Sequence, residues 1–110
     1  MWRETEYLGH IYDELVFIRK ATREHTLTTF LEDDVLKRAV VRSLEIIGEA
    51  TKKLPAEFRA EHPQVKRAMA GMRDRLIHDY FGVDYMIVWD VIQTYLPELE
   101  KMIERLLEDN

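Results

Sequence analysis

The sequence predicts an all-α fold, an up-and-down bundle of four main helices, and three observations carry that expectation. Only four Gly and three Pro occur in 110 residues, about half the usual share of roughly 12%, which is too little turn chemistry for a sandwich or barrel of many short strands. Apolar residues recur at three- and four-residue steps over most of the chain, the period of a helix with one buried face. There is no cysteine, so the core has to be held by packing alone. The length fits one domain, residues 1–110, large enough to bury a core without staples.

The elements follow in order. Leu8, Ile11, Leu15 and Ile18 form one stripe, which predicts a first helix over about Thr5 to Arg23. His25 to Thr29, with three threonines, reads as its exit and the next entry. In the second helix Leu36, Val40, Ser43, Ile47, Ala50 and Leu54 make one stripe, and Val41, Leu44 and Gly48 make a second beside it. Two stripes imply two neighbours. A mid-helix glycine costs up to about 1 kcal/mol relative to alanine, so Gly48 suggests close approach of another helix. Pro55 ends this helix, and Pro55 to Glu61 has the length of a short extra helical turn. Pro63 restarts the chain, and Val65, Ala68 or Met69, Met72, Leu76 and Tyr80 continue at helical spacing. A third helix is therefore expected over about Gln64 to Tyr80, with Gly82 as its left-handed C-cap. Asp84 suits the N-cap of a fourth, whose stripe runs Trp89, Ile92, Leu96, Leu99, Ile103 and Leu106. Pro97 should kink that last helix, because it lacks a backbone donor and crowds the carbonyl of Gln93.

Charge narrows the function classes. The chain carries −5 overall, which argues against bulk affinity for nucleic acid, but the sum hides an asymmetry. Between Arg59 and Arg75 five cations face two acids, a local +3, whereas Leu76 to Asn110 holds eight acids against Lys101 and Arg105, a local −6. A phosphate-bearing partner would meet one stretch. No apolar run approaches the roughly 18 residues of a membrane span. Met1-Trp2-Arg3-Glu4 opens no signal peptide, and the expected location is the cytoplasm, with no membrane partner.

Metal chemistry finds no support in the pattern. None of His10, His25, His62 and His78 has a Glu three residues before it, as helical di-metal sites require. H-E-x-x-H, EF-hand, P-loop and G-x-G-x-x-G motifs are all missing, so no metal and no cofactor is expected. The stretch Met72 to Tyr80 is different. It gathers Arg73, Asp74, Arg75, His78, Asp79 and Tyr80: permanent cations, a group that exchanges protons near neutral pH, a phenol, and carboxylates near the imidazole. Cleaving RNA without metal needs a base for the 2′-hydroxyl, an acid for the leaving oxygen and fixed positive charge for the phosphorane. His78 can serve as base or acid, and Arg73 can supply the charge. On a regular helix Arg73 and Tyr80 share a face, while His78 lies about 140° round from Arg73. Either the helix loosens before Gly82, or a second copy of the motif across a symmetric interface completes the site. Asp74, four before His78, can fix its tautomer and favour the imidazolium, and Arg75 opposes it. On spacing alone, Arg, His and Tyr on such a helix are more often snorkelling or half-buried residues than a site.

Arg73-x(4)-His78-x-Tyr80 resembles the R-x(4)-H-x-Y signature of the HepT-like branch of the HEPN superfamily. The flanks agree: Ala39 to Ala50, Ala70-Gly71-Met72-Arg73, Leu76 to Asp84, Val88-Trp89 and Leu96-Pro97, so the likeness covers about Leu8 to Leu107. The resemblance implies a HEPN-type helical bundle that forms a homodimer, with the motif in a cleft between protomers. It further implies a metal-independent endoribonuclease, the toxin of a type VII-like toxin–antitoxin pair, acting on tRNA or mRNA. Its implied partner is an MntA-like nucleotidyltransferase antitoxin that transfers AMP onto the motif tyrosine, here Tyr80. On that reading Arg73 and His78 are catalytic, Tyr80 positions substrate and is AMPylated, and Asp74 and Arg75 support them. Asp74 stands where the HepT-like pattern usually has Asn; a carboxylate there can orient the imidazole or neutralise Arg73. The alternative is a non-catalytic HEPN module that docks a nucleotidyltransferase or a nucleotide and cuts nothing. A purely structural helical partner is a third possibility, in which alanine at Tyr80 changes nothing.

Overall fold

The structure, a computed structural model, describes residues 4–76 and 84–108. Every regular element among them is a helix, in the order α1 (Glu4–Thr22), α2 (Leu27–Glu32), α3 (Asp34–Lys53), α4 (Ala56–Glu61), α5 (Pro63–Leu76), α6 (Tyr85–Thr94) and α7 (Leu96–Glu108). The two longest, α1 and α3, pack against each other, and α7 closes on the other side of α1.

The stripe expected on α1 is the centre of the core: Leu8 and Ile11 are fully buried, and Leu15 and Ile18 are 1% exposed. Burying each such side chain contributes about 1.5–3 kcal/mol. The buried Thr22 hydroxyl donates to the carbonyl of Ile18 at 2.7 Å, so the last turn of α1 carries a polar group without an unmet hydrogen bond. From α3 come Val40, Ser43, Leu44, Ile47 and Ala50, and from α7 Leu96, Leu99 and Ile103.

Three expectations change. The stretch His25 to Thr29 is more than a link, because Thr26 caps α2. Its hydroxyl accepts from the Thr29 amide at 3.2 Å, and the Thr29 hydroxyl accepts from the Thr26 amide at 2.8 Å. This is a capping box with threonine in the role usually held by Glu or Gln. The helix it starts carries Phe30, fully buried, with its ring centroid 5.1 Å from that of Trp89. Second, the kink expected at Pro97 is a one-residue break at Tyr95, which separates α6 from α7. Tyr95 stays near helical geometry (φ −96°, ψ −41°), and its amide still donates to the Val91 carbonyl at 2.9 Å. Proline at position 97 has no amide to give the Gln93 carbonyl, so the regular ladder is interrupted at this turn. Third, a Cβ added at Gly48 would meet nothing within 4 Å among the described residues, so they show no helix pressing there.

The expected boundaries otherwise stand close to the observed ones. Pro55 is the N-cap of α4, and Pro63 opens α5. Asp84 caps α6, its carboxylate accepting from the amides of Met86 (3.0 Å) and Ile87 (3.4 Å). The expected continuation of the third helix to Tyr80 and the C-cap at Gly82 lie outside the described residues.

Candidate functional site

α5 holds the first part of the motif. Val65, Met69 and Met72 are its buried side, 3–6% exposed, and they fix the rotation of the helix against the core. The Thr51 hydroxyl at the end of α3 lies 3.5 Å from the Met69 sulfur, so that end of α3 runs beside Met69. On the opposite flank Gly71 faces α6 and α7: a Cβ built there would sit 3.6 Å from Cε1 of Tyr95, an ordinary contact. The backbone of Arg73, Asp74 and Arg75 therefore lies in the last turns of a helix held from both sides. His78 and Tyr80 lie outside the described residues, as does any relation of the two to Arg73.

The chain re-enters the described structure at Asp84, where the cap on α6 fixes the way out of the motif. Tyr85 is half-buried, with the Lys37 ammonium 4.7 Å from its ring centroid, a cation–π distance. α5 and α6 touch, so the two ends of the motif segment are carried by packed helices.

Two depressions flank this region. A shallow groove of about 350 Å³ between α5 and α7 is lined by Gln64, Arg67, Tyr95, Glu98 and Met102, among others. A cavity of about 230 Å³ between the end of α1 and the α6–α7 break includes Arg19, Arg23, His25, Gln93 and Glu100. Its polar wall is already engaged in part, since Arg19 Nε donates to both Glu100 carboxylate oxygens at 3.0 and 3.1 Å. Among the described residues no three His, Cys, Asp or Glu side chains gather as a metal-binding set. No helix among them is long and apolar enough to cross a membrane.

The charges of α4 and α5 went unresolved in the sequence reading beyond their sum. Arg59, Lys66 and Arg67 make no ion pair among the described residues, and Arg59 Nε is buried with no hydrogen-bond partner there. An unmet buried donor costs about 1–3 kcal/mol. The composition pointed to this stretch, but only the fold tells which cations stand unpaired.

Comparison with known proteins places the chain. The sequence model described as Ribonuclease HepT-like matches residues 11–106. A protein of Caldanaerobacter subterraneus subsp. tengcongensis is 50% identical over 103 residues, covering 93% of this chain and 92% of the relative. One from Methanocaldococcus jannaschii is 41% identical over 103 residues, covering 90% and 89%; both carry the name "Putative RNase". A third, from Thermococcus cleftensis, named "Probable ribonuclease HepT", is 43% identical over 102 residues, covering 92% and 93%. No solved structure matches the chain.

Proposed function

The chain belongs to the HepT-like ribonuclease family, and on that premise we propose that it is a metal-independent endoribonuclease whose reacting groups are Arg73 and His78. The observation that carries this reading is the order Arg73-x(4)-His78-x-Tyr80 inside the matched residues 11–106, with the backbone of Arg73 on a helix anchored by Val65, Met69 and Met72.

The chemistry balances without a metal. His78 removes the proton of a ribose 2′-hydroxyl, the oxygen attacks the adjacent phosphorus, and the bond from phosphorus to the 5′-oxygen breaks with protonation of that oxygen. The imidazole of one protomer serves as base, and that of a second copy of the chain, across a homodimer interface, can serve as acid. Arg73 holds the negative charge that builds on the phosphorane. Tyr80 positions the strand. Adenylation of its phenol by a nucleotidyltransferase antitoxin would put bulk and negative charge in place of the RNA phosphate and silence the toxin. Asp74 and Arg75 support the site by setting the local field around the imidazole.

The test pairs cleavage with folding. Arg73→Ala and His78→Ala should each abolish growth inhibition and cleavage of tRNA or mRNA in chelator, while far-ultraviolet circular dichroism keeps the helical signal. Persistent activity in both variants would remove these residues from the mechanism. The acidic total and Asp74 favour the second reading, a binding module. It would be supported by a purified chain that binds its nucleotidyltransferase and leaves RNA intact over a wide pH range. Mass spectrometry after co-expression with such an enzyme should find adenylate on Tyr80.

A further inference from the structure

α5 has two flanks, and they are not alike. With about 100° per residue, Val65, Met69 and Met72 mark the buried side. Gln64, Ala68 and Gly71 fall on the flank that faces α7 and Tyr95. Lys66 and Arg73, seven residues apart, fall within about 20° of each other on the other flank. That flank adjoins the end of α3, because Met69, three residues after Lys66, is the residue that Thr51 touches. Lys52 follows Thr51 directly, is 67% exposed, and among the described residues is held by one exposed ion pair, with Glu49 at 3.6 Å, an interaction of small worth. Lys66 is exposed with no ion pair among the described residues.

We infer that Lys52 and Lys66 form a basic row that holds the sugar–phosphate backbone of an RNA strand and leads it to Arg73. The inference rests on the ribonuclease reading above and names the substrate-binding surface of that same site. Its length suits a strand: Lys66 and Arg73 stand about 10 Å apart along the helix. Charge concentrates here, since residues 51–76 hold seven cations and three acids, net +4, in a chain of net −5. The rest of the chain, at −9 by difference, repels the strand everywhere else. A protein partner fits the row less well. Protein interfaces are depleted in lysine and need an apolar centre, and the exposed large hydrophobic residues Phe17, Val35 and Met86 lie on α1, the start of α3 and α6.

The test uses the full chain carrying His78→Ala, so that the RNA survives, and a fluorescent single-stranded RNA oligonucleotide titrated at several salt concentrations. Lys52→Gln and Lys66→Gln should each lower the slope of log K against log[salt] by about 0.7 and weaken binding about fivefold at 0.1 M salt. Lys20→Gln on α1, an equal charge change elsewhere, should leave both unchanged. Slope and affinity equal to the parent in the Lys52 and Lys66 variants would overturn the row. So would a change in assembly mass by light scattering with an unchanged RNA slope, which would give the lysines to a protein contact. The two readings fail separately. A chain with His78 intact that binds RNA through these lysines yet never cuts it sinks the ribonuclease and keeps the row. A chain that cuts RNA with the same KM after both substitutions sinks the row alone.

Discussion

The α1–α3–α7 side and the α4–α5 limb are built on different terms. On the first, the stripe of α1 is at most 1% exposed, although Leu44, Ala50 and Leu96 of α3 and α7 reach 5–7%, and all four ion pairs found among the described residues have both members on α1, α3 or α7. On the second, the buried residues of α5 keep 3–6% exposure, and Arg59, Lys66 and Arg67 stand without ion pairs among the described residues. Cations matched by carboxylates add a little stability and are less available to an anion from outside, although the exposed pair of Lys52 with Glu49 restrains its lysine only weakly; unmatched ones are free to take it. On the reading proposed above, the chemistry lies on the limb with unmatched cations and the most deeply buried stripe lies elsewhere, so substitutions should separate stability from cleavage.

The sharpest way to break that comparison is a crossed pair. His78→Ala should lower RNA cleavage by about 10²–10⁴-fold and shift the urea midpoint little. Ile11→Ala should cost about 2–5 kcal/mol of stability, read from the same urea curves, while the folded fraction retains its cleavage rate. If His78→Ala unfolds the chain, or Ile11→Ala destroys activity while still folded, the two regions are not separate. A middle case sharpens the boundary. Asp84→Ala removes the cap that fixes the exit from the motif and should cost about 1 kcal/mol, together with a measurable fall in cleavage, because it borders both regions. The smallest effect belongs to the Arg19–Glu100 pair. A double-mutant cycle with alanine at both positions should give at most about 1 kcal/mol, shrinking as salt rises, since Arg19 is 49% exposed.

Much of the helical frame was legible because burial here is strictly periodic. Leu8, Ile11, Leu15 and Ile18 lie one turn apart, and all four enter the core. Proline and aspartate marked the ends at Pro55, Pro63 and Asp84. Short elements left no such trace. Six residues hold too few turns for a stripe, so α2 was read as a link and Phe30 and Phe58 went unassigned, although both are buried. The Thr26-x-x-Thr29 spacing was the available signal for α2, but threonine at the last place of a capping box is easily taken for loop chemistry. The motif was legible by residue type and by family resemblance, not by periodicity. The basic row was half legible: charge sums show where cations are dense along the chain, whereas only the Thr51–Met69 contact shows which flank of α5 lies beside Lys52.

The salt bridge between Arg19 and Glu100 joins residues 81 positions apart, and α1 rests on α7 along the same side. During synthesis the apolar face of α1 leaves the ribosome long before Leu99 and Ile103 exist to cover it. A nascent chain that has already made its whole motif, Arg73 through Tyr80, therefore still lacks the helix that covers that face. On the ribonuclease reading proposed above, cleavage would begin only when α7 emerges and seals that wall.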